Sequence, residues 1–451
     1  MATTSVMQLE LDIRPSGAQP NPEQALETEI PVNGDDDPPA TAISALERWN
    51  YPRHNIARLV ATFWSFIVSG ANDAAYGALI PYLESYYDLS YTIVSLVFLS
   101  PLGGYVLAAL FNHRIHNAFG QRGVALLAPG CHLIAYIVNS LHPPYPVLVV
   151  SFIFAGFGNG LTDSAWNAWV GNMARADEIL GLLHGFYGVG AVLSPLAATS
   201  LITKANCPWY YFYYIMIACA AVEVVLCTST FWKSTGAVFR QTTARSQDGN
   251  DKGGLRQALF TYPSSRVTWL CALFLLGYVG VEVALGGWIV TFMTQVRHGP
   301  AFASGMTATG FWLGITVGRV ALGFVTPRVG EKISVSTYII LSIIFGLVLW
   351  LVPQFYASAV AVALQGFFLG PLFPAVVVVT TKLLPRHLHV SSIGFAAAFG
   401  GGGAAVLPFA VGAIAQSKGV KVLQPFILGL SGGILILWLG LPRLSKIHRG
   451  E

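Results

Sequence analysis

Charge is what this sequence has least of. Asp, Glu, Lys and Arg together make up 10% of its 451 residues, and 54% of the chain is hydrophobic. Soluble domains carry roughly a quarter charged residues, so an ordinary soluble protein is excluded. Cysteine is scarce as well, five residues and so an odd number. Cys131, Cys219, Cys227 and Cys271 lie inside apolar runs and Cys207 in a short connection, a scatter that promises neither a disulfide framework nor a metal cluster. Phosphate-binding loops, nucleophile elbows and metal-ligand motifs are missing, and no polar stretch is large enough to house an enzyme or a nucleotide-driven motor. Neither catalysis nor a cofactor is therefore expected. The net charge of +4 gathers into no nucleic-acid patch.

What the chain does have is long apolar runs. After the first 55 residues, twelve of them approach the ~20 residues a membrane helix needs. They fall at about 57–83, 92–112, 122–141, 146–173, 179–203, 209–232, 266–294, 303–326, 334–352, 357–384, 389–415 and 421–441. An all-α membrane protein of twelve spanning helices follows. Residues 1–55 are polar, Pro-rich and acidic, with Asp35, Asp36 and Asp37 before Pro38 and Pro39; they read as a disordered cytoplasmic tail, not a cleaved signal. The first span would then act as the insertion signal.

Orientation comes from the distribution of Lys and Arg over alternate connections. One set holds Arg48, Arg53, Arg58, Arg114, Arg122, Arg175, six residues from Lys233 to Arg266, then Arg328, Lys332, Lys382, Arg386, Arg443, Lys446 and Arg449. The other holds only Lys204, Arg297, Lys418 and Lys421. Both termini are thus predicted to be cytoplasmic, in the plasma membrane or an internal, vacuolar one. The polar, Gly-rich connection over 233–265, without hydrophobic period, reads as a flexible cytoplasmic linker. It divides the chain into six-helix halves at 56–232 and 266–441, followed by a short tail at 442–451.

Repeated features sit on either side of that linker. Gly156 to Gly160 (GFGNG) pairs with Gly366 to Gly370 (GFFLG), Gly120 with Gly330, and GVGAVLSP from Gly188 with GGGAAVLP from Gly401. Gly77, four residues after Asp73, finds Gly286, four after Glu282. The shared offset points to two homologous halves, an arrangement that places a binding site between them near the midplane.

Polar residues inside the apolar runs mark where that site should be. Within AGFGNGLTDSAWNAWV, from Ala155, the residues Asn159, Asp163, Trp166 and Asn167 recur at helical spacing and share a face. A mid-membrane carboxylate such as Asp163 is costly and usually marks a pathway, the other reading being a protonated structural hydrogen bond between helices. In the first span, Asn72, Asp73 and Tyr76 can all face the interior. His184 is read as a substrate ligand, with proton sharing or plain packing as alternatives. Glu282 holds the place in the second half that Asp73 holds in the first; it either lines an outward cavity or pairs across the interface between halves. Glu223 has no polar neighbours in sequence and reads as a structural or lipid-boundary acid, and His132 as a packing residue. Trp166, Trp169, Tyr187, Trp288 and Trp312 lie near the polar positions, and aromatic faces beside carboxylates and amides suit a sugar-like solute. Pro101, Pro195, Pro371, Pro374 and Pro408 inside spans suit a bundle that bends.

Two stretches carry a family resemblance. Asn117-Ala-Phe-Gly120-Gln-Arg122 resembles the cytoplasmic Gly-and-Arg loop motif of the major facilitator superfamily, and Gly318-Arg319 with Pro327-Arg328-Val-Gly330-Glu331-Lys332 resembles its second-half copy. The first copy has Asn117 where an acid is common. The resemblance implies gating roles for Gly120, Arg122, Arg319, Arg328 and Gly330. The Asn72-Asp73 pair, with an acid followed by small residues and Asn167 in the fourth span, is similar to the fucose/galactose/glucose proton symporter branch. On that likeness Asp73 would bind sugar hydroxyls, Asp163 would carry the proton and Asn167 would be a further contact, although Asp163 stands where the branch has the longer Glu and His184 where it has an amide. The function implied is proton-coupled symport of a small polar solute by a monomeric carrier that alternates its access. A transporter-like receptor that binds solute without net flux is the alternative, and the short tails favour transport.

Overall fold

A computed structural model describes residues 47–246, 254–385 and 388–442. The two tails read from sequence lie almost wholly outside the described residues. Within the bilayer no water can satisfy a bare peptide group, so each apolar run must close its own hydrogen bonds as a helix. The helices are α1 (His54–Tyr87), α2 (Tyr91–Val94), α3 (Leu96–Phe119), α4 (Gln121–Ser140), α5 (Tyr145–Gly171), α6 (Ala176–Thr203), α7 (Tyr211–Phe231) and α8 (Gly236–Ser246). They continue as α9 (Gly254–Phe260), α10 (Ser264–Gln295), α11 (Ala301–Val329), α12 (Glu331–Leu351), α13 (Phe355–Leu369), α14 (Leu372–Leu383), α15 (His389–Lys418) and α16 (Leu423–Gly440). All twelve expected runs are helical. Two of them are split: α2 joins α3 at Ser95, and α13 joins α14 at Gly370 and Pro371, where proline offers no amide hydrogen.

Eleven of these stretches are long and apolar enough to cross a membrane on length and composition alone. The twelfth is α1, 34 residues long, whose Asn72-Asp73 pair dilutes an otherwise apolar segment. The linker departs from the sequence reading. Its ends are helical, as α8 and α9, because each finds a surface to lie on: Arg240 donates to the Asn117 carbonyl, the Phe239 ring meets His116 at a tilt with centroids 5.2 Å apart, and Trp269 of α10 donates to the Leu259 carbonyl at 3.3 Å.

The two halves repeat one plan. In the first, α1 crosses α6 with Gly70 against the Tyr187 carbonyl; in the second, α10 crosses α15 with Gly403 against the Leu276 carbonyl. Gly120 at φ 68° and Gly330 at φ 101° make the equivalent turns between α3 and α4 and between α11 and α12, a backbone region open to glycine at little cost. The halves meet where α1 crosses α10, where α2 and α3 approach α15, and where α6 crosses α11. At the first crossing a side chain on Gly77 would strike the Gly286 carbonyl. These are repeat partners, and under a two-fold relation a residue meets its own equivalent only on the axis.

The contacts between halves gather at one end. The Tyr91 amide donates to Gln416 Oε1 at 2.8 Å, Ser95 fills the space beside Gly412, and Thr199 lies against Gly305. All of these lie toward the end opposite the Gly120 and Gly330 turns.

Candidate functional site

Asp73 sits on α1 one turn before Gly77, where the halves cross, and its donors come from the first half. Three helices supply it with donors. Asn72 Nδ2 lies 3.0 Å and Asn159 Nδ2 2.9 Å from Oδ1, and the Tyr187 hydroxyl lies 2.9 Å from Oδ2. Asn72 also reaches the Tyr76 hydroxyl at 3.3 Å. A carboxylate has about four acceptor positions, so about one remains for a ligand hydroxyl. Asp73 is half-buried, and Asn72 and Asn159 are almost fully buried. The amides fix the carboxylate while leaving it reachable.

The stripe on α5 divides. Relative to Asn159, at about 100° per residue, Asp163 stands about 40° and Asn167 about 80° to one side, while Trp166 stands about 20° to the other. That small difference decides their surroundings. Asp163 is exposed and Asn167 half-buried, and the Asn167 amide donates to the Asp163 carbonyl at 2.8 Å. Asp163 lies within electrostatic reach of Asp73 and of the half-buried Tyr105. Trp166 instead turns into the helix packing, fully buried, with Nε1 donating to Ser65 at 3.3 Å and its ring stacked on Phe231 at 4.5 Å. It offers no face to a ligand in this conformation. Trp288 is fully buried as well: it donates to the Pro408 carbonyl at 2.9 Å and meets Tyr91 edge-on at 5.8 Å, which makes it part of the closed end.

The second half contributes an ion pair. Glu282 Oε1 and Arg319 Nη2 are 3.6 Å apart with both side chains largely buried, and Arg319 Nε donates to the Gly370 carbonyl at 3.1 Å. Arg319, grouped by sequence with the loop residues, lies well inside α11 and apart from them. Glu282 finds its partner within its own half, since α10 and α11 are neighbours there. Tyr187 shares an electrostatic neighbourhood with both Glu282 and Arg319, so it stands between Asp73 and the second half. His184 is half-buried, edge-on to Phe66 at 5.5 Å, and also within reach of Arg319.

The loop residues form a separate group. The Arg122 amide donates to the Ser234 carbonyl at 3.0 Å and its guanidinium covers the Trp232 ring at 4.8 Å. Arg328 returns to the Phe324 carbonyl at 3.3 Å, and Glu331 pairs with Lys382 of α14. Thus the structure brings together Asn72, Asp73, Tyr187, Glu282 and His184, sets Asp163 and Asn167 just beyond them, and leaves Trp166, Trp288 and the loops outside.

Sequence reasoning passed over three groups. Tyr105 and the donor role of Asn159 were hidden because helical spacing reveals a face and not its neighbour. Glu223, read as lacking polar neighbours, is fully buried at 3.0 Å from His132 Nδ1 and accepts from Ser65 at 2.5 Å. An acid and a histidine, each isolated mid-span in its own helix, were the available signal for this pairing.

Among the described residues no group of three or more His, Cys, Asp and Glu side chains could hold a metal ion. The family model for the Major Facilitator Superfamily matches residues 62–307 and 284–449. The chain is 29% identical over 422 residues to Bypass of stop codon protein 6 of Saccharomyces cerevisiae, covering 87% of this chain and 83% of that one. It is 22% identical to the glucose/mannose transporter GlcP of Bacillus subtilis, over 77% of this chain and 85% of the relative. Among solved structures, a D-xylose-proton symporter superposes with a TM-score of 0.67 at 14% identity, over 86% of this chain and 98% of the other.

Proposed function

The chain belongs to the Major Facilitator Superfamily, and we propose that it is a proton-coupled carrier of a hexose or similar small polyol that works by alternating access. The observation that carries this reading is Asp73: a half-buried carboxylate held by donors from three helices, with acceptor capacity to spare, at the seam where the two halves meet. Sugar hydroxyls donate to such an acceptor, and the phenol of Tyr187 lies beside it. The names of relatives that carry glucose and mannose, or xylose with a proton, point to the same solute class.

On the charge distribution read above, the Gly120 and Gly330 turns face the cytoplasm. The contacts at Gly77, Tyr91 and Thr199 then seal the outer end, and Asp163 is the carboxylate open toward the cytoplasmic side. A proton on Asp163 removes a like charge from the neighbourhood of Asp73 and makes passage through the low-dielectric closed state less costly. Solute on Asp73 favours closure from the other side. Carriers that move readily only when both loaded or both empty couple the two flows.

Uptake of radiolabelled D-glucose into vesicles containing the full chain, with and without an inward-directed pH gradient, tests this. Accumulation above equilibrium that collapses with the gradient is expected. Asp163→Asn should abolish accumulation yet keep glucose exchange. Binding of sugars without any flux would instead make the protein a receptor, and accumulation unchanged in Asp163→Asn would defeat the proton assignment.

A further inference from the structure

The mechanism above leaves one buried ionisable pair unused. His132 on α4 and Glu223 on α7 are both fully buried, with Nδ1 and Oε2 3.0 Å apart. Glu223 Oε1 accepts from the Ser65 hydroxyl at 2.5 Å, and Ser65 in turn accepts from Trp166 Nε1 at 3.3 Å. The carboxylate therefore has two partners and the imidazole has one. On its far side, His132 Nε2 finds no partner with hydrogen-bond geometry, and the same is true of Asn159 Oδ1. Both atoms belong to side chains that lie close together. The edge of the His132 ring lies where a side chain on Gly158 would be, and the ring is within interaction distance of the Asn159 amide.

We propose that His132 and Glu223 form a positioning pair for the solute-binding carboxylate, setting through Asn159 the hydrogen bond that Asp73 receives. The chemistry follows from which atoms are left over. Complete burial favours a pair that is neutral overall; Glu223 on Nδ1 then leaves the imidazole with a hydrogen on Nε2, whether the shared proton rests on the ring or the carboxyl. That hydrogen faces Asn159 Oδ1, an acceptor with no other use. Holding the amide oxygen there turns the amide nitrogen toward Asp73 Oδ1, where it lies at 2.9 Å. Without the imidazole the amide is free to flip, and an oxygen against the carboxylate repels where a nitrogen donated. Gly158 belongs to the device, because a side chain there would collide with the Nε2 edge of the ring and displace it. No proton needs to enter or leave the pair, which suits its complete burial.

The inference rests on reading Asp73 as the sugar-binding group. Uptake of D-glucose by vesicles of the full-length protein tests it with His132→Phe, which keeps a ring but removes both nitrogens, and His132→Gln, whose amide can present a hydrogen to Asn159. Phe is expected to raise the KM about tenfold, the scale of one lost hydrogen bond to a charged group, with little change in maximal rate. Gln should recover most of the affinity. In an Asn159→Ala background the Phe substitution should have no further effect on KM, since the link it acts through is gone. Equal KM for wild type and His132→Phe, equal impairment by Phe and Gln, or full additivity with Asn159→Ala would each overturn the positioning role. If His132→Phe does not purify as a monodisperse protein, Gly158→Val in the same two backgrounds decides by the same criterion. A wild-type chain that takes up no hexose overturns the proposed function and this inference with it, whereas normal wild-type uptake beside a silent His132→Phe overturns the inference alone.

Discussion

Replacing Asp73 by Asn changes charge with almost no change in shape, and the local hydrogen bonds say how the variant must sit. Asn72 and Asn159 both donate to Oδ1, so an amide nitrogen there would face two other donors. The new side chain will keep its oxygen at that position and turn its nitrogen toward Tyr187, whose hydroxyl can accept as well as donate. The fold is therefore kept, and the melting temperature should not fall, because a half-buried charge has been removed. Solute binding loses its charged acceptor. A hydrogen bond to a charged group is worth about 1.5–3 kcal/mol, so the Kd for D-glucose should rise by about 10- to 150-fold. Equilibrium binding of labelled glucose to detergent-purified protein reads this directly, alongside a thermal melt. A well-folded variant whose Kd moves less than about twofold, far below the cost of one such bond, would refute the placement of the solute on Asp73.

Other substitutions probe the surrounding parts. Gly77→Leu cannot seat α1 on the Gly286 carbonyl, so it should hold the halves apart at that end: glucose binding survives, flux falls, and a cysteine placed at Ser95 becomes more reactive to an impermeant maleimide. Arg319→Gln leaves Glu282 without its ion-pair partner and should destabilise the protein by about 3 kcal/mol or more, with much of the loss recovered in the Glu282→Gln, Arg319→Gln double variant, as thermal unfolding would show. Trp166→Phe keeps a ring against Phe231 but loses the bond to Ser65. It should cost about 1 kcal/mol of stability and leave the glucose Kd within about twofold, in contrast to a ligand-stacking tryptophan.

Helix placement was legible in the sequence because the rule behind it is local. Lipid leaves a peptide group nowhere else to bond, so every apolar run from the one around Trp64 to the one around Leu435 had to become a helix. The turns at Gly120 and Gly330 were legible for a similar reason, as was the pairing of Gly77 with Gly286, which the structure turned into a physical contact on the axis. The identity of the polar partners was not. Asn159 and Asp73 are 86 positions apart and His132 and Glu223 are 91 apart; each pairing depends on how far two helices are rotated about their own axes when they cross. Periodicity assigns a residue to a face but leaves the neighbour of that face open, which is why Trp166 and Asn167, adjacent in sequence, part company and why Arg319 joins Glu282 instead of the loop. The solvent decided the helices, and close packing of small residues at the crossings decided which charges and amides would meet.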